Sequence, residues 1–173
     1  MNRDLRDVVN KIIVAVTDDE PTNEQIADLA ADLAAFFDAS VMLLYMGKLP
    51  TVSPLGASPV GTSEMAAVAV RSVEEVGKKA LDRMAEVMAA NGLPVTSRVV
   101  IGAGTHAIKD ITEKEQADLV ILPSWQEGVT NRLIRVFSPS IIEDAACPVL
   151  VLKGNRWLTK SKAPRPGAAK GQP

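Results

Sequence analysis

The chain has 173 residues, 47% hydrophobic but only 3% aromatic, with 19 basic residues, 21 acidic residues and one cysteine. That length suits one domain with a core of its own, and a lone Cys147 excludes an internal disulfide or a cysteine-based zinc cluster. Five bases and no acid fall in residues 154–173, leaving 14 bases against 21 acids, a net −7, on residues 1–153; an acidic body is a poor general surface for nucleic acid.

The opening segment MNRDLRDVVN has no apolar signal core, and no apolar run approaches ~20 residues, so a cytoplasmic protein without a membrane span is expected. The run KIIVAV (Lys11 to Val16) predicts a first strand. Too apolar for one wet face and too short for a helix, it reads as buried on both sides. A turn over Thr17 to Pro21 leads to Thr22 and Gln25, which match a helix capping box. Ile26, Leu29, Ala30, Leu33 and Phe37 follow at helical spacing. Asp18-Asp19-Glu20 could hold Mg²⁺, but acids ahead of a helix are also favoured by its dipole.

VMLLYM (Val41 to Met46) predicts the second strand. Gly47 to Ser63, dense in Pro, Gly, Ser and Thr, predicts a loop. A long helix is expected from about Glu64 to Ala90, buried through Val73, Val76, Ala80, Met84 and Val87, and stopped by Asn91-Gly92. TSRVVI (Thr96 to Ile101) predicts the third strand. Gly102-Ala103-Gly104 then turns into a helix capped by Thr105, with Ile108 and Ile111 inward. His106, the only histidine, reads as a wet position beside that cap.

DLVIL (Asp118 to Leu122) predicts the fourth strand and Pro123 to Asn131 a second loop. Ser138-Pro139 is a good helix start, with the helix running to about Ala145. Pro148 to Leu152 predicts the fifth strand. Cys147 reads as a small buried filler. Residues 154–173 read as a basic, disordered tail behind a domain of residues 1–153.

Strands alternating with helical crossovers predict an α/β fold, a parallel sheet with helices on both faces. In doubly wound sheets ligands sit beyond the C-terminal strand ends where strand order reverses. If strands one and four are neighbours there, the crevice is lined by Thr17-Asp18-Asp19 and Pro123-Ser124-Trp125. Trp125 could stack on a flat ligand, cover the crevice or face a partner. Arg132 and Arg135 could clamp an anion or form a wet helical edge. No Ser-His-Asp or Cys-His arrangement and no P-loop lysine motif is available, and Gly102 to Gly104 lacks the third glycine of a dinucleotide fingerprint.

KIIVAV, the Ala-rich first helix, LLYM, GAGTHAIKDI, ADLVILPS and ACPVLVLK, in this order, resemble the universal stress protein family over about residues 8 to 153. The resemblance implies a three-layer, adenine nucleotide alpha hydrolase-like fold with a five-stranded parallel sheet in order 3-2-1-4-5. It also implies a homodimer through strand 148–152. ATP-binding members carry an Asp just after strand one. After strand four they carry Gly, two residues, Gly, nine residues, then Gly-Ser or Gly-Thr, so that backbone N–H groups can approach phosphates.

This chain departs from that pattern. Thr17 holds the Asp position, Pro123 the first Gly and Gln126 the second, and the closing pair falls near Val136-Phe137. The phosphate cradle reads as dismantled. The first expectation is therefore a non-catalytic stress-response dimer that holds no cofactor and does not bind ATP in the usual way. The alternative is an ATP or AMP sensor with an atypical loop, its candidate crevice being Thr17, Asp18, Met46, Gly102, Ser124, Trp125, Arg132 and Ser138. A small hydrolase or transferase lacks a nameable nucleophile–base pair.

Overall fold

The computed structural model describes residues 8–17, 20–47, 59–101, 107–123 and 139–152, with backbone alone at 20–22, 59–63 and 139–141. The elements in chain order are β1 (Lys11–Val16), α1 (Glu20–Phe37), β2 (Ser40–Gly47), α2 (Pro59–Ala90), β3 (Val95–Ile101), α3 (Ala107–Lys114), β4 (Leu119–Pro123), α4 (Pro139–Asp144) and β5 (Val149–Leu152). The strands form one sheet in order β3-β2-β1-β4-β5, every pair parallel. This is the expected fold, with strand order reversing between β1 and β4.

Side chains alternate across a strand, so β1 supplies both sides of the sheet. Ile12, Val14 and Val16 enter a core shared with α1 and α2, while Ile13 and Ala15 enter a second core with Ile108 and Ile111 of α3. All five are buried, as a central parallel strand covered on both faces requires. The short α4 packs beside α3.

Two expectations about α2 are corrected. The helix begins at Pro59, inside the segment read as a loop; Pro is favoured in a first helical turn because its missing N–H has no partner there. Its buried stripe is Gly77, Leu81, Met84 and Met88, whereas Val76 and Val87 are 42% and 38% exposed. The stripe is offset toward Gly77, which packs directly against the Tyr45 ring. The Thr22–Gln25 capping box is also overturned, since α1 begins at Glu20 and Thr22 is its third residue.

Helix ends follow one device. Gly92 takes φ +76° and Leu93 N donates to Met88 O at 3.1 Å, a Schellman closure. Asp38 (φ 55°) and Gln116 (φ 51°) take the same left-handed position, with Ala39 N donating to Ala34 O and Ala117 N to Thr112 O, each at 3.0 Å.

The base of the sheet is tied by charge. Lys11 Nζ donates to Glu115 Oε2 at 2.6 Å and Arg98 Nη1 to Glu115 Oε1 at 3.2 Å, joining β1 and β3 through the turn after α3. Asp118 Oδ2 accepts from the backbone N–H groups of Asn10 and Lys11 at 2.8 and 3.0 Å. The Lys11 hydrogen bond lowers the Glu115 carboxyl below its ordinary 4.5, with Lys11, Arg98 and Lys114 charges adding to it against partial burial. A pKa depressed by folding stabilises above the unfolded value and is lost as pH falls through the folded one. Glu115→Gln is therefore expected to melt below wild type at neutral pH. The gap should narrow as thermal melts are taken to progressively more acid pH below 4.5.

Candidate functional site

The C-terminal ends of β1 and β4 meet where strand order reverses, which is where a doubly wound sheet receives a ligand. β1 ends at Val16, and Thr17 follows it, 5% exposed. β4 ends at Pro123, buried and paired in register with Leu152 of β5. Pro123 belongs to the strand and not to the following loop. It has no N–H to offer, which a strand end tolerates.

Thr17 is held by Asn23, the fourth residue of α1. Helical Cα–Cβ bonds tilt toward the N-terminus, which aims the Asn23 side chain back at the strand end. Thr17 N donates to Asn23 Oδ1 at 2.9 Å and Asn23 Nδ2 donates to Thr17 O at 2.7 Å. The Thr17 hydroxyl donates to the same Oδ1 at 3.2 Å. In extended backbone the N–H and C=O of one residue point the same way, so a carboxamide can take both, as one residue takes both from its opposite in an antiparallel pair. Asn23 is itself 8% exposed. A buried amide is costly unless bonded, and here donor and acceptor are both used.

Met46 lies near the end of β2, 7% exposed, among the buried residues of the α3-side core. Asp18, Gly102, Ser124, Trp125, Arg132 and Ser138 lie outside the described residues, as do Asp19, Thr105, His106, Arg135 and the tail. Of the candidates, only Thr17 and Met46 lie among the described residues, Thr17 directly after β1 and Met46 in the α3-side core. Among the described residues no group of three His, Cys, Asp or Glu side chains is placed to hold a metal. No helix among them is long and apolar enough to cross a membrane. Cys147 is half-buried against the α3-side core; burial, then the Asp118 charge, pushes its thiol up, which disfavours the reactive thiolate.

Asn23 was not singled out by sequence. The signal was a polar residue in the first turns of α1, hidden because Thr22 and Gln25 matched a capping box. A groove of about 470 Å³ between α1 and α2 has Asn23, Ala27, Val76, Ala80 and Met84 among its walls.

Solved structures share this architecture. The universal stress protein UspA from Lactobacillus plantarum superposes with a TM-score of 0.66 at 19% identity, covering 84% of this chain and 98% of that one. A universal stress protein from Archaeoglobus fulgidus, in complex with dAMP, gives 0.53 at 17% identity, covering 84% and 99%. One from Arabidopsis thaliana, with AMP bound, gives 0.53 at 20% identity, covering 88% and 97%. At these identities the likeness is one of fold. No curated protein sequence shows significant similarity to the chain. The universal stress protein family profile matches residues 9–153, which spans every element of the sheet and both helical layers, and the chain belongs to the universal stress protein family.

Proposed function

We propose that this chain is a non-catalytic, cytoplasmic stress-response module that works as a homodimer and does not hold ATP in the manner of the family's ATP-binding members. The observation that carries this reading is the state of Thr17. It stands where those members carry an Asp, and its N–H, C=O and hydroxyl are all engaged by Asn23. Pro123 at the end of β4 adds a residue without a donor where a phosphate-facing glycine would stand. Phosphate binding by backbone needs N–H groups that can come close to the anion, and this segment of sequence supplies bulk in place of glycine.

A nucleotide sensor is the second reading. It is favoured by relatives solved with AMP and dAMP and by Ser138-Pro139 at a helix start. Titrating ATP, AMP and cyclic AMP with Mg²⁺ while following Trp125 fluorescence in a Trp157→Phe background separates the two. The module reading expects a flat response to all three. Saturable binding tighter than about 100 μM, lost in Asp18→Ala or Ser138→Ala, would establish the sensor instead.

The dimer reading rests on β5. It is an edge strand of the sheet, and its Leu150 and Val151 are 38% and 40% exposed. Apolar edges of this kind are usually paired or covered, and residues 148–152 of two copies could pair across a two-fold axis. Light scattering at micromolar concentration is expected to give twice the 18.4 kDa chain mass; the mass of one chain would refute it.

A further inference from the structure

We propose that the outward face of α2 is a self-association surface, which binds the same face of a second copy of this chain, antiparallel, with the two-fold axis at Val76. The contact lies apart from the β5 pairing above and does not depend on it.

The sequence puts two apolar stripes on α2. Gly77, Leu81, Met84 and Met88 form the one that faces the sheet. The other faces away from it. Met65, Val76 and Val87 stand eleven residues apart, and eleven residues make three turns with about 20° over, so the three side chains form one line. Val68 lies beside that line. All four are exposed, Met65 and Val68 by 58% and 65%. One apolar face is enough to seat a surface helix. A second face left in water marks an interaction surface when its side chains are contiguous, as these are.

The two halves of the face differ in shape. From Val76 to Val87 it is concave, because α2 there forms one wall of the groove of about 470 Å³ whose other wall is Asn23, Glu24 and Ala27 of α1. Before Val76 it is a ridge. A Cβ on Gly47, the last residue of β2, would fall on Val73, so β2 ends level with Val73. The fourteen residues of α2 before Val73 run on past that end for about 21 Å, and residues 64–68 are all exposed. In an antiparallel pair centred on Val76, the ridge of each copy enters the groove of the other. Met65 then falls opposite the partner's Val87, and Val76 meets its own counterpart. One face carries both the knob and the hole, as a contact across a two-fold axis requires.

Charge and area identify the occupant and its strength. On the groove rim Glu24 and Glu86 balance Lys79 and Arg83, so the basic segment 154–173 finds no net attraction there. Residues 65–70, MAAVAV, bring no charge and match a neutral groove. The face from Met65 to Val87 is about 33 Å long and roughly 10 Å wide, on the order of 330 Å² per copy. A stable complex buries about 800 Å² per partner. The pairing is therefore weak and forms at high concentration.

Cross-linking of the full chain reads the register. In a Cys147→Ser background, Val76→Cys should form an interchain disulfide on oxidation, since a residue on a two-fold axis meets its own copy within reach of a disulfide. Met65→Cys mixed with Val87→Cys should give the mixed dimer, and either of them alone should give far less. If Met65→Cys links to itself as readily as Val76→Cys does, the pairing is parallel or random and the proposal is overturned. No disulfide in any of the three variants overturns it as well. Mass supplies a second readout. Light scattering on the wild type should rise above its micromolar value between about 10 and 500 μM. Val76→Glu sets two carboxylates face to face on the axis and should weaken this association about tenfold or more, while melting within about 2 °C of wild type because the position is exposed. A wild-type mass that stays flat to about 500 μM gives the face to a different helix and overturns self-association. The mass of one chain at micromolar concentration would remove the β5 dimer alone, and the cross-links would still decide this contact.

Discussion

Gly77→Ala is expected to destabilise the protein by about 1–3 kcal/mol and to lower its melting temperature by roughly 3–9 °C. The sign is the informative part. In an exposed helix interior the same change stabilises by about 1 kcal/mol, since alanine is the better helix former. Here a Cβ at position 77 would meet the Tyr45 ring broadside, 2.8 Å from Cε1 and 2.9 Å from Cγ, and in contact with Cδ1 as well. Tyr45 is 3% exposed and sits in the core shared by β1, β2, α1 and α2, so its ring has no open side to retreat to. Either the ring leaves its place or α2 lifts off the sheet, and both cost packing. A double-mutant cycle isolates the cause. In a Tyr45→Ala background, Gly77→Ala should become neutral or stabilising. A stabilising Gly77→Ala in the wild-type background would show that α2 does not approach β2 this closely.

Thr112→Val should cost about 1–2 kcal/mol although the two side chains have nearly one shape. Thr112 is 1% exposed. Its hydroxyl donates toward the Ile108 carbonyl at 2.9 Å and accepts from Ala146 N at 3.1 Å. The first bond returns to its own helix. The second ties α3 to the segment that leads from α4 into β5, so one oxygen holds the far edge of the sheet to its covering helix. Valine removes that oxygen and leaves the Ala146 N–H without its acceptor, the expensive way to lose a hydrogen bond. Hydrogen exchange supplies the specific readout: the Ala146 amide should exchange faster in Thr112→Val and be little changed in Thr112→Ser, which keeps the hydroxyl. Equal protection in all three proteins would show that the tie carries no stability.

How legible these features were in sequence differs with their physical cause. Strands β1 and β2 fall within a residue of where runs of Val, Ile, Leu and Met place them, because a doubly covered parallel strand must be continuously apolar; β3, an edge strand reading VTSRVVI, was legible through the Val-Val-Ile that ends it. β4 is set one residue later and ends on Pro123, since pairing with β5 carries the strand through a residue that reads as a loop. The order 3-2-1-4-5 came from a family resemblance, as alternation alone leaves several topologies open. The α2 stripe was misread in part because a glycine contributes nothing to an apolar pattern, yet Gly77 is where α2 seats against the Tyr45 ring. Asn23 was missed for a related reason. Its partner, Thr17, is six residues away, across a turn, and the pairing is between a side chain and a backbone edge that no periodicity records. Thr17 was picked out by its place after β1, but what engages it was visible only once strand and helix were set side by side. Met46, a crevice candidate by position, is a core residue because its place in β2 points it into the α3-side layer.

The central proposal is that this universal stress protein, with Thr17 engaged by Asn23 at the end of β1, does not carry nucleotide. Its most direct test is the nucleotide content of freshly purified protein, released by denaturation and resolved by anion-exchange chromatography against AMP, ADP and ATP standards. The account predicts far less than one adenine nucleotide per chain, with wild-type melting unmoved by added ATP and Mg²⁺. Adenine nucleotide recovered near one per chain would contradict it.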